Sequence, residues 1–197
     1  MNRKNTFSEY GPAGQRICQL RAFVAQAFAI CFLLRKSEHI PVPPGAVKGT
    51  AITLTRKHIT FFDKHENAIP YGHVGSILAM SVAVNIPYSK TDARGFGRIN
   101  RHARQPEGSA VDIVVILEHW ICDTRDNYGT GEHESIYAIN SRFATFTVDT
   151  LHKVMQLTLD DLGIPGLRAT SHKCRYGGAS MLAAAGFPHY VIAMYGG

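Results

Sequence analysis

The chain has 197 residues, with 21 lysines and arginines against 15 aspartates and glutamates, a formal net charge of +6 at pH 7 and an isoelectric point near 9.3. Its 45% apolar and 18% charged content describes a globular chain rather than a disordered one, and the length suits one domain, or one and a fragment of another, with a real core, while the basic balance favours a polyanionic partner. No apolar run nears the roughly 18 residues that cross a bilayer, no apolar segment follows the opening Met-Asn-Arg-Lys-Asn-Thr as in a signal peptide, and Cys18, Cys31, Cys122 and Cys174 lack CxxC or CxxH spacing. These features argue against a membrane protein, a disulfide framework or a zinc site. They favour an intracellular location, the nucleus in a eukaryote or the cytoplasm in a bacterium.

Residues 1–14 read as a tail or linker remnant and 15–197 as one domain. A helix is predicted over 15–36, where Ile17, Leu20, Phe23, Val24, Ala27, Phe28, Cys31 and Leu34 recur at three- and four-residue steps. Prolines 41, 43 and 44 forbid its continuation. Three short strands of a small antiparallel sheet follow at Ile52–Thr55, Ile59–Phe62 and Ile77–Ile86, set apart by Asp63, Asn67, Pro70 and Gly72. Ser89-Lys90-Thr91-Asp92 falls at the tip of a turn before Gly95 and Gly97. Positions 86–104 carry Lys90, Arg94, Arg98, Arg101 and Arg104 against Asp92 alone. Positions 118–134 carry Glu118, Asp123, Asp126, Glu132 and Glu134 against Arg125 alone, so a basic face and an opposing acidic one are expected.

A helix is predicted over Val111–Cys122 with Trp120 on its apolar side, then an exposed loop from Asp123 to Glu134. Val148–Leu162 forms an amphipathic helix closed by Gly163. Ser171 is the expected N-cap of a helix over 172–185, with Gly186 as its C′ residue. Pro188 opens one more helix, His189–Tyr195. The expected fold is α+β and mainly α, a helical bundle with a small three-stranded antiparallel sheet.

The chemistry concentrates in Ser171-His172-Lys173-Cys174-Arg175. An imidazole and a guanidinium three residues apart project from one face of a helix, beside its positive end, where a phosphate is favoured. The adjacent Gly177-Gly178 has neither a GxxxxGK nor a GxGxxG context, so it is not read as a phosphate loop. His58, His65, His73 and His119 have no metal-ligand spacing, and Asp160-Asp161 reads as a solvated helix end.

Four blocks together resemble the catalytic domain of the tyrosine recombinases, or phage-type integrases, in the divergent form found in mobile elements. Leu33-Leu34-Arg35-Lys36-Ser37-Glu38 resembles the first arginine box and Ser89-Lys90-Thr91-Asp92 the lysine-bearing turn. Ser171-His172-Lys173-Cys174-Arg175 resembles the His-x-x-Arg box, and the segment from Ala183 through Gly186, Phe187 and Pro188 to Ile192 the helices after it. The likeness spans about residues 15–197. It implies double-stranded DNA as partner, oligomers on DNA in the full-length protein, and no metal or small-molecule cofactor. It also implies strand cleavage and rejoining through a 3′-phosphotyrosyl intermediate. Arg35 and Arg175 would clamp the scissile phosphate, Lys90 would protonate the leaving 5′ oxygen and His172 would assist proton transfer. Arg94, Arg98, Arg101, Arg104 and Lys173 are the expected DNA contacts.

The resemblance places a further His or Trp just past Gly197 and the nucleophilic tyrosine about ten residues beyond, and it places a DNA-clamping helical domain before this one. None of Tyr176, Tyr190 and Tyr195 stands where that tyrosine belongs. The chain by itself is therefore expected not to form the covalent intermediate. Two alternatives stay open at this point: a DNA-binding relic without catalysis, and an interaction module that handles no nucleic acid.

Overall fold

A computed structural model describes residues 11–41, 54–87, 97–109, 111–139, 145–164 and 167–196. Lys90, Arg94 and the first half of the first predicted strand lie outside the described residues. The fold is α+β: helices α1 (Gly11–Cys31), α2 (Lys36–His39), α3 (Ile113–Tyr128), α4 (Val148–Asp161), α5 (Ser171–Ala184) and α6 (His189–Gly196) accompany strands β1 (Ile59–Phe62), β2 (Ala68–Ile69), β3 (Ser81–Ile86) and β4 (Arg98–Ala103). Among the described residues no helix is long and apolar enough to cross a membrane.

α1 is the central helix. Ala22, Val24, Ala25, Phe28 and Ala29 are buried on several sides of it, and α3, α4 and α5 all pack against it. The alanines let neighbours approach closely, and the phenylalanine fills the layer between them.

The sheet has four strands in the order β2-β1-β3-β4, all antiparallel, one more than expected. Ile59–Phe62 and the second half of Ile77–Ile86 pair as predicted strands. Thr55 instead makes a single bridge to Ser135 outside the sheet. The added strands are β2 and β4. β4 escapes a hydropathy reading because its alternation is inverted: Asn100 is buried while Ile99 is 69% exposed.

That inversion has a purpose at the end of α1. The predicted helix over 15–36 stops at Cys31 rather than at the prolines. Leu33 takes φ 51°, a left-handed conformation that costs a non-glycine residue about 1–2 kcal/mol. The last carbonyls of the helix would be orphaned there. His102 Nε2 donates to Cys31 O (2.7 Å) and Asn100 Nδ2 to Phe32 O (3.2 Å), so the core face of β4 caps α1.

α3 starts on Asp112, whose Oδ1 accepts from Val114 and Val115 N–H. It runs to Tyr128 and ends at Gly129 with φ 67°. The first half of the expected Asp123–Glu134 loop is thus helical. Thr124 is fully buried, donating to Trp120 O and accepting from Arg56 Nη2. Arg56, itself buried, also donates to Ser135 O and Ala138 O and ties the segment after α3 to the sheet.

His39 is fully buried, stacks on Phe28 and shares a 2.6 Å hydrogen bond with Tyr137 Oη. Burial pushes its pKa down to about 3 from 6.5. The folded state therefore refuses a proton that the unfolded chain accepts below pH 6.5. Stability is expected to be flat above that pH and to fall as pH drops toward 3, with a slope of up to about 1.4 kcal/mol per pH unit from this residue. Urea titrations across pH should show His39→Asn to be less stable at neutral pH but flatter in acid.

Candidate functional site

The loop after Leu33 delivers Arg35 to the start of α2. Glu38 turns back onto it, accepting from the Arg35 N–H at 2.7 Å and from Arg35 Nη1 at 3.3 Å. Its side chain is only 2% exposed. A second guanidinium reaches the same carboxylate from the sheet: Arg98 Nη1 and Nη2 lie 3.4 and 3.3 Å from Oε1 and Oε2. Arg98 opens β4 on the face that also carries Asn100 and His102, so the strand that caps α1 also supplies this arginine.

Arg175 enters from α5. Its Nη2 donates to Gly196 O at 2.8 Å, placing a cation at the negative end of α6. Burial first, then the charges of Arg35 and Arg98, hold the Arg175 guanidinium below its ordinary range, and Glu38 partly offsets them. Arg35 and Arg98 thus pair with the buried Glu38 carboxylate while Arg175 lies within their electrostatic reach, so the four side chains form one electrostatic unit with a formal excess of two positive charges. Such a unit suits one phosphodiester, whose oxygens planar guanidiniums grip with paired donors at any working pH.

His172 lies one turn before Arg175 and is exposed, its ring edge-on to Tyr176 with centroids 4.6 Å apart. His172, Arg175, Tyr176 and Leu33 line an open cavity of about 400 Å³ together with Ile192, Ala193 and Gly196 of α6. The structure thus brings Arg35, Arg175 and His172 of the expected site to one region and adds Arg98 and Glu38.

Two glycines make this approach feasible. A Cβ on Gly178 would lie 2.2 Å from Ile30 O and 2.7 Å from Leu33 Cδ2, so α5 sits on the end of α1 only because nothing projects there. A Cβ on Gly196 would meet Arg175 Nη2 at 3.0 Å. Gly178→Ala is expected to cost about 1–3 kcal/mol by overpacking. Gly177→Ala has nothing within 4 Å and should instead stabilise the helix by up to about 1 kcal/mol. Denaturant melts of the two variants check the opposite signs.

Ser171 is the first residue of α5, and Thr170 the N-cap, without a side-chain cap bond. Gly186 follows the helix with φ 84°, at the expected C′ position. Among the described residues, Arg101 and Arg104 of the basic stretch go elsewhere. Arg101 points to the opposite face of β4, over the Phe62 ring and paired with Glu66. Arg104 pairs with Glu118 of α3. One ion pair thus links the end of the basic stretch to the start of the acidic one. Lys173 is exposed and donates to Arg168 O. Tyr195 Oη donates to Arg101 O, and burial lifts its pKa to about 12. No protein-family model matches the chain, and no curated protein matches it.

Proposed function

We propose that the chain forms the phosphate-binding part of a DNA strand-cleaving and rejoining centre of the tyrosine-recombinase kind. The observation that supports it most is the pairing of Arg35 and Arg98 with Glu38 within electrostatic reach of Arg175, with His172 one turn before Arg175. These groups come from three elements, α2, β4 and α5, separated by most of the chain, and their residue types match what a phosphodiester under nucleophilic attack requires.

On this reading the scissile phosphate sits against the three guanidiniums. A tyrosine oxygen bonds to phosphorus as the bond to the 5′ oxygen breaks. Charge growing on the non-bridging oxygens is stabilised by donors already in place, which is where such a site gains most of its rate. His172 is positioned for proton transfer to or from the phosphate, and Lys90 serves the leaving oxygen. Tyr195, held by Arg101 O and shifted upward in pKa, is not the nucleophile.

Binding of a fluorescent duplex, followed by anisotropy across a salt series, tests this reading. Affinity should fall steeply, with log K against log salt losing about 0.9 per phosphate neutralised. Undetectable or salt-independent binding would remove nucleic acid from the account.

A further inference from the structure

α5 begins without a side-chain cap of its own: Thr170 occupies the cap position and bonds no N–H there. The missing acceptor comes from another helix. His152 of α4 takes the Ser171 N–H on Nε2 at 3.0 Å, and Ser171 Oγ lies 3.2 Å from the same nitrogen. One turn further along α4, Gln156 Oε1 accepts from Ala169 N–H at 3.1 Å, while its Nε2 donates to Leu167 O at 3.3 Å. His152 and Gln156 together hold the backbone that leads into α5, and α5 carries His172 and Arg175.

We infer that His152 is a positioning residue: by accepting the Ser171 N–H it holds the first turn of α5, and with it His172 and Arg175, in the phosphate-binding arrangement, and taking up a proton releases that turn. The inference rests on the phosphodiester-binding reading above. An imidazole nitrogen that accepts an N–H is unprotonated, so neutral His152 carries its proton on Nδ1. A proton on Nε2 would set two donors face to face and place a cation at the positive end of the α5 dipole.

The surroundings keep the neutral form. Burial first, then Lys36 of α2 and, more weakly, Arg168 before α5, lower the pKa of His152, while Asp149 on its own helix raises it. Release therefore belongs to acid conditions below the ordinary 6.5. The expected sign is unusual. Added positive charge near a phosphate ordinarily tightens DNA binding, whereas a proton gained by His152 loosens it.

Wild type, His152→Gln and His152→Leu are compared from about pH 7.5 down to about pH 5, the range in which histidines titrate. Duplex affinity and the ¹⁵N–¹H resonance of Ser171 are followed together. In wild type the Ser171 resonance should move and affinity fall roughly five- to tenfold on acidification, the scale of losing one helix cap. His152→Gln, an acceptor that does not titrate, should keep neutral-pH affinity and lose the acid dependence. His152→Leu should bind weakly at every pH. Parallel pH profiles for wild type and His152→Gln, or a Ser171 amide indifferent to acid, would overturn the inference while salt-dependent DNA binding persists. Absence of duplex binding by wild type at every pH would overturn the phosphate reading, and the positioning role with it, even where the Ser171 amide follows His152.

Discussion

Arg175→Ala is expected to weaken duplex binding by roughly 10- to 100-fold, because a charged donor pair on a phosphate contributes on the order of 1.5–3 kcal/mol. The loss should be specific to the guanidinium. Arg175 is held in place by Gly196 O at 2.8 Å and sits within the field of Arg35 and Arg98, so its fork is already oriented before a phosphate arrives. Arg175→Lys keeps a positive charge but offers a rotating ammonium in place of the planar fork. It should recover only part of the affinity. By contrast Arg101→Ala removes a cation that lies on the other face of β4 and is paired with Glu66, and should change affinity by no more than a few fold. Anisotropy titrations at one fixed salt concentration, with circular dichroism to confirm that each variant is folded, check these results.

Glu38→Ala should produce the largest loss of stability in the molecule, on the order of 3–5 kcal/mol, as expected when one member of a buried charge network is removed. Glu38 accepts from the Arg35 N–H and from two guanidiniums while only 2% exposed. Without it, Arg35, Arg98 and Arg175 repel one another with no counter-charge between them. A domain of this size has only about 5–15 kcal/mol in total, so the variant should approach unfolding at room temperature. Glu38→Gln keeps the shape and the acceptor for the Arg35 N–H and should fall between the two. Adding Arg98→Met to Glu38→Gln should restore part of the stability, since it removes a charge left without its partner. Chemical denaturation of the three variants measures the sequence of effects.

The helices were legible because their signals are local. Threefold and fourfold apolar spacing located α1, α3 and α4. Gly186 ended α5 where a left-handed residue was needed. The errors share one physical origin: contacts made across long sequence separations. Nothing near Leu33 announces that α1 stops at Cys31, because the groups that satisfy its carbonyls are Asn100 and His102 of a strand nearly 70 residues away. The same strand was hidden by its inverted alternation, with a buried asparagine and an exposed isoleucine.

The site was legible in part for the same reason. Arg35, His172 and Arg175 stand in short motifs that can be read from sequence. Arg98 looked like one more residue of a basic stretch, and only the period-two alternation of β4 separates it from Arg101 and turns it toward Glu38. Glu38 closes the block around Arg35, and nothing in the sequence marks it as the common acceptor for two guanidiniums. Gly178 carried no phosphate-loop signature, and its role emerges from the distance to Ile30 O.

Whether Arg35 and Arg175 act together on a single phosphate is measured directly by a double-mutant cycle on duplex affinity. Arg35→Ala, Arg175→Ala and the double variant should show a coupling of about 1 kcal/mol or more, the single losses summing to well beyond the double loss. Losses that add to within about 0.5 kcal/mol would mean that the two arginines meet different phosphates or none, and would contradict the shared site.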